Sequence, residues 1–233
     1  MARPNDTPPT ALAKVEAALE AVGLTPRGTF HPEPADNVPA LPDGSRAGTL
    51  VLAGNVGPAM WTAFADTDRT GTEALDRWSG DVLGSIAGRF GGTAHLPGGP
   101  PYLPFIRWAQ RAGPVRPSAI GMLIHPDFGL WHAYRGALAL PDRLDLPPPD
   151  DRPRACDTCA DKPCLTTCPV GAFAPEGYDV PSCVDYLETT SGNSCSRQGC
   201  AARRACPVGR DYHYAPEQAA FHMAAFLRAN RKH

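Results

Sequence analysis

Cysteine is missing from the first 155 of 233 residues, and all eight fall between positions 156 and 206. A disulfide-stapled secreted fold would spread them along the chain, so this crowding points to thiols kept reduced for metal. Long apolar runs are also missing, and no stretch approaches the roughly 18 residues that a membrane span requires. The opening MARPNDTPPT has no apolar h-region, so no secretory signal is expected and the expected compartment is the cytoplasm. Charge of one sign is not in excess, with a formal net charge of −2. Bulk electrostatics therefore favour neither nucleic acid nor an anionic membrane, and neither is expected as a partner. Lysine is scarce, three against nineteen arginines, a bias that reads as genomic base composition rather than chemistry.

The chain is rich instead in turn formers, 27 Pro and 23 Gly, which favour short elements. Thr10 caps a predicted helix over 10–22 that places Leu12, Val15, Leu19 and Val22 on one face. Strands are predicted over 24–30 and 48–54, the second a short apolar run bounded by glycine. Helices are predicted from Pro58, over 73–89 and over 103–113, then strands over 119–125 and 130–140. A Pro- and acid-rich segment, 141–154, ends this half. The expected domains are 1–145 and 146–233, the latter closing with an amphipathic helix over 216–229. Mixed helices and strands give an α+β class for the first domain.

The cysteines read C-x2-C-x4-C-x3-C-P, then Cys183, then C-x4-C-x5-C-P. Thiolates suit zinc or iron–sulfur clusters, four per cluster. Two sets, each ended by Cys-Pro, match the bacterial two-cluster ferredoxin pattern, in which the Cys before Pro serves the other cluster. That logic groups Cys156, Cys159, Cys164 and Cys206 on one [4Fe–4S] cluster, and Cys168, Cys183, Cys195 and Cys200 on a second. The x4 gap, where the ferredoxin run has x2, makes the crossing an inference. Zinc knuckles would also use four cysteines but have no need of the x3-C-P step.

The Cys-free half carries IGMLIHPDFGLWHAYRGALALPDRLDLPPP, 120–149, with Gly121, His125, Pro126, Phe128, Gly129, Trp131, Arg135 and Gly136 close together. This segment resembles the CblC family of cobalamin-processing proteins, and VLAGNVGPAMW, 51–61, is similar to the same family's strand-turn-helix. The resemblance implies a nitroreductase-like domain that binds cobalamin and reductively removes its upper axial cyano or alkyl ligand. Epoxyqueuosine reductases and reductive dehalogenases are similar in architecture, with a cobalamin domain followed by a two-cluster module. CVDYLET, 183–189, echoes a step in the first of these. Between Arg89 and Asp127 there is no carboxylate to match the epoxyqueuosine proton donor, so queuosine chemistry is not expected.

Under this reading Gly121, His125, Pro126, Phe128, Gly129, Trp131 and His132 are candidate corrin contacts. Tyr102 is the candidate wall or proton donor, and Arg135 matches the family's thiol-binding arginine. The expected cofactors are two [4Fe–4S] clusters and cobalamin, as substrate or permanent cofactor, with any flavin requirement left open. The expected electron donor is a ferredoxin, flavodoxin or flavin reductase. Plainer roles stand beside these. His125 before Pro reads first as a turn histidine, His132 as a rim residue, and Phe128 and Trp131 as core. Arg197, Arg203, Arg204 and Arg210 read as compensation for anionic clusters. Anaerobic reconstitution with iron and sulfide is expected to give a brown protein holding about eight irons per chain. A colourless, zinc-replete product would overturn the cluster assignment.

Overall fold

The computed structural model describes residues 9–67 and 70–231. The first half runs α1 (Ala11–Glu20), β1 (Thr25–Phe30), β2 (Thr49–Val56), α2 (Ala59–Ala65), α3 (Ala74–Arg89), β3 (Thr93–His95) and α4 (Phe105–Ala112). It continues through β4 (Arg116–Pro117), β5 (Leu123–Ile124) and β6 (His132–Leu140). The cysteine region contributes α5 (Pro163–Thr166), β7 (Phe173–Ala174), β8 (Gly177–Tyr178), α6 (Val180–Leu187), α7 (Asn193–Gln198), α8 (Ala201–Arg204) and α9 (Pro216–Asn230). The class is mixed α+β.

Four antiparallel strands form one sheet in the order β1-β2-β6-β3. Every residue of β2 is buried, as expected of a strand covered on both faces. Alternation then sorts its side chains. Val51 and Ala53, with Leu138 and Leu140 of β6, pack against Leu12, Val15, Met60, Phe64 and Leu83 of the first three helices. Leu50 and Leu52, with Ala137 and Ala139, pack against Phe105, Trp108 and Ala109 of α4. Two bulges interrupt the ladder. One lies between Pro26 and Thr29 of β1, and the other between Ala53 and Gly54 of β2, which pair with Gly136 and Tyr134.

Thr10 caps α1 by accepting from the Ala13 backbone amide. The predicted strand over 119–125 is the main departure. Only Leu123 and Ile124 pair, with Arg116–Pro117, in a sheet of their own. Pro117 removes a ladder donor, and Gly121 turns the chain with φ +80°. A hairpin follows, closed by His125 N–H to the Gly129 carbonyl at 2.9 Å and by the return bond at 3.0 Å.

The cysteine region docks on this hairpin through two glycines. Gly129 has φ +56°, and a Cβ there would lie 2.0 Å from the Val208 carbonyl oxygen. Gly209 has φ +73°, and its Cβ would meet the Phe128 carbonyl at 2.3 Å. The C-terminal helix crosses the expected boundary at 145: Phe221 packs 5.3 Å from Trp61 and 5.6 Å from Phe64, ring to ring. Gln218 Nε2 donates to the Gly57 carbonyl, and Asn55 Nδ2 donates to the Tyr214 hydroxyl. Gly129→Ala is expected to lower stability by about 1–3 kcal/mol from backbone strain alone, with the clash added. Thermal unfolding of the full chain checks this, and an unchanged Tm would refute the docking.

Candidate metal centre and ligand cleft

Each set of four cysteines lines a void of its own, one small and one larger. The smaller, about 20 Å³, is lined by Cys156, Cys159, Cys164 and Cys206, with Ala119, Ile124 and Lys162 beside them. The larger, about 360 Å³, is lined by Cys168, Cys183, Cys195 and Cys200 among mostly apolar side chains. The structure thus brings each set of four around its own space, and none of the eight is in a disulfide. Among the described residues no group of three or more His, Cys, Asp or Glu converges on a single-ion site. Burial pushes the thiols of Cys164, Cys183, Cys200 and Cys206 up, so occupancy must displace protons. The Ala172 amide donates to Cys168 Sγ at 3.4 Å. The β7–β8 hairpin stacks Phe173 on Tyr178 at 4.7 Å along the larger void.

Another space, about 700 Å³, opens on the other side of the hairpin between β1, the end of α4 and the segment 146–152. Its volume falls within the roughly 300–1,000 Å³ of ligand clefts. His125, Phe128, Tyr134 and Arg27 line it.

The candidate corrin contacts separate by location. His125 and Phe128 stack at 4.3 Å on the cleft wall. His125 Nδ1 accepts from the Asp127 and Phe128 amides at 3.1 and 3.4 Å, so this nitrogen serves as the turn's internal cap. His132 is buried. Its Nε2 lies 3.1 Å from the Leu123 carbonyl, to which it donates, while Nδ1 has no hydrogen-bond partner. Trp131 lies behind the hairpin, lining the larger void rather than the cleft. It packs 4.2 Å from His213 and 5.3 Å from Tyr214. Gly129 gives the close approach to Val208 described above, and Gly136 fits against Leu83 and His95. Gly121 faces open space. Pro126 sits at the hairpin tip next to His125.

The two candidate catalytic side chains lie elsewhere. Tyr102 is 82% exposed and lines neither the cleft nor either void. Arg135 points to α3, where it pairs with Asp76 and donates to Ser79 Oγ at 3.1 Å. The bulge opposite Ala53 and Gly54 explains this: Arg135 has no Cα partner across the ladder, and Tyr134 lines the cleft. Arg203 does more than offset charge. It donates to the Leu130 carbonyl at 2.9 and 2.6 Å and covers the rings of Trp131 and Tyr214 at 4.5 and 4.4 Å. Sequence reasoning missed Arg27 and Tyr134 as cleft residues. The available signal was an arginine inside an otherwise short, uncharged strand, TPRGTF.

Several solved structures are similar to this chain, among them the following three. A selenomethionine-labelled epoxyqueuosine reductase is 14% identical with TM-score 0.50, over 89% of this chain and 68% of that one. The Bacillus subtilis epoxyqueuosine reductase is 15% identical with TM-score 0.49, over 88% and 69%. A reductive dehalogenase whose structure suggests a mechanism for B12-dependent dehalogenation is 16% identical with TM-score 0.48. That match takes in 98% of this chain and only 37% of the dehalogenase. At such identities the likeness is one of fold, and the chain has a fold similar to that of epoxyqueuosine reductase. No protein-family model matches the chain, and no curated protein sequence matches it.

Burial holds His125 down at about 4 and His132 at about 2, with the Arg27 charge acting in the same direction. Both values lie below the unfolded histidine's ordinary 6.5. The stability tied to the neutral rings is therefore full above pH 6.5 and drains as pH falls towards 4. Each ring should contribute a slope of about 1.4 kcal/mol per pH unit. Denaturant unfolding between pH 6 and 4.5 is expected to show a shallower slope in His132→Asn than in the wild type. Equal slopes would contradict the burial argument.

Proposed function

We propose that this chain is an iron–sulfur oxidoreductase that reduces the cobalt of a corrinoid and thereby releases its upper axial ligand. One segment carries the reading. Ala119 and Ile124 line the smaller cysteine void, Ile120, Met122 and Trp131 line the larger one, and His125, Asp127 and Phe128 line the cleft. Residues 119–131 therefore touch both prospective electron sites and the prospective substrate site.

The donor sets fit the clusters, with four thiols around each void in the ferredoxin grouping. Cys156, Cys159, Cys164 and Cys206 would hold one, and Cys168, Cys183, Cys195 and Cys200 the other. When bound, [4Fe–4S] clusters supply single electrons at potentials within about −700 to +450 mV, and cobalt reduction needs the low end. The chain's own residues do the rest. Arg203 and Arg210 bring positive charge beside the thiolates, and the glycine docking holds the hairpin against the Cys206 loop. Phe128, stacked on His125, offers an apolar wall to a corrin substrate, and Tyr134 offers a polar edge. The I-H-P-D-F-G-L-W segment supports corrin as the ligand, and the epoxyqueuosine reductase fold agrees with it.

Loss of an axial cyanide needs no proton donor over the metal, because cyanide is a stable anion that would depart with its bonding pair as cobalt is reduced by electrons from the clusters. Reduction of an organic substrate at cobalt does need one, and the candidate Tyr102 lies outside the cleft. That geometry favours the first reaction. An external one-electron donor of the ferredoxin, flavodoxin or flavin-reductase type would recharge the clusters.

Dithionite-reduced protein mixed anaerobically with cyanocobalamin is expected to shift the corrin spectrum and release cyanide. Neither binding nor spectral change would refute the reading. Cys164→Ser and Cys195→Ser are each expected to remove about half of the iron, leaving about four per chain. Loss of all iron from either variant would contradict two separate clusters.

A further inference from the structure

Arg27 is 5% exposed, yet among the described residues no carboxylate pairs with it. Of the acids lining the cleft, Asp127 and Asp150 are held by Arg152 and Glu33 by Arg111, while Glu16 and Asp151 line it without an ion pair among the described residues, and none of the five pairs with Arg27. The guanidinium lies over the rings of Phe128 and Tyr134, at 4.8 and 5.6 Å from their centroids. Tyr134 is near enough to influence it electrostatically. A hydrogen bond between the two side chains figures in the electrostatics of both, yet Arg27 Nε and the Tyr134 hydroxyl are each buried without a well-aligned partner. His125 and His132 beside it are held neutral by burial and by the Arg27 charge, so they add no like charge, and an imidazole supplies no counter-charge in either form.

Such an arrangement is costly to the empty protein, because a buried cation with no counter-ion forfeits its hydration. It is also built with a specific backbone device. Arg27 and Phe30 are the two buried residues of β1, a spacing of three that strict alternation forbids. The bulge between Pro26 and Thr29 creates that spacing. Gly28 in the bulge has φ +101°, and any Cβ there would lie 2.2 Å from the Ala112 carbonyl oxygen. The bulge thus turns Arg27 towards the cleft, the use to which bulges beside functional sites are put.

We infer that the cleft is an oxyanion site, in which a phosphate or carboxylate on the ligand seats against Arg27 and accepts a second hydrogen bond from the Tyr134 hydroxyl. A charge-assisted contact of this kind supplies the counter-ion that the fold withholds. The inference deepens the corrinoid reading by naming a group on the ligand, but its first test involves no corrinoid.

The full cluster-loaded chain is unfolded thermally over a titration with inorganic phosphate, against chloride at matched ionic strength. Wild-type Tm is expected to rise with phosphate. Arg27→Gln is expected to unfold a few degrees higher than wild type without phosphate, and to show no phosphate response. Tyr134→Phe, which keeps the fold, is expected to need several-fold more phosphate for the same shift. A wild-type Tm indifferent to phosphate would overturn the inference. So would an Arg27→Gln protein that is less stable than wild type or keeps the response, or an unchanged titration in Tyr134→Phe.

A second arm finds where the oxyanion comes from. Cobalamin carries a nucleotide phosphate that cobinamide lacks. A roughly tenfold loss of affinity in Arg27→Gln for cobalamin but not cobinamide, the size of one charge-assisted bond, supports a phosphate on the corrinoid. Equal affinities of both corrinoids for variant and wild type, with the phosphate response kept in the wild type, support a separate anionic ligand. Phosphate binding without binding of either corrinoid would leave the oxyanion site standing and remove the corrinoid reading.

Discussion

The reciprocal approach of Gly129 and Gly209 is the constraint around which the molecule is arranged. Each glycine sits at positive φ, and each occupies space that a Cβ would deny to the other's backbone. Because two main chains meet there with no side chain between them, the hairpin and the Cys-Pro-Val-Gly loop have little freedom to slide. Interiors this close-packed transmit position rather than absorb it. The placement of Cys206, of Ile124 and of the His125–Phe128 stack follows from that contact.

A sheet covered on both faces suits this task. Its central strands are fixed by helices on one side and by α4 on the other, so the end of β6 emerges at a defined place. Two bulges then break the alternation where the cleft begins. One turns Arg27 inward, and the other exchanges the faces that alternation would give Tyr134 and Arg135, sending Arg135 to α3 and Tyr134 to the cleft. Arg203 closes the opposite side of the hairpin by gripping Leu130 and covering Trp131 and Tyr214. The same short segment is thereby held from the sheet, from the cysteine region and from the C-terminal arm.

Much of this was legible because it is local. Helical spacing placed α1, α3 and α4 within a residue or two, and the paired Cys-Pro pattern suggested a cysteine grouping that agrees with the linings of the two voids. What sequence could not show depends on contacts made far away. Gly129 read as a site for close ligand approach, yet its neighbour is Val208, 79 positions later in the chain. Tyr102 read as a wall of the site and is exposed; Arg135 read as a ligand contact and is paired with Asp76. A bulge inverts the side-chain pattern for one residue, so Arg27 and Tyr134 were hidden from any reading by alternation. The predicted strand over 119–125 failed for a related reason: apolar residues there line two different voids instead of one sheet face.

The last helix adds a consequence for biosynthesis. Phe221 completes a core begun by Trp61 and Phe64, some 160 residues earlier, and Gln218 closes on Gly57. During translation the sheet half must wait, with that aromatic face uncovered, until all eight cysteines have left the ribosome. Closure of the sheet core is therefore a late event, and a chain interrupted inside the cysteine region would leave that aromatic face without its cover.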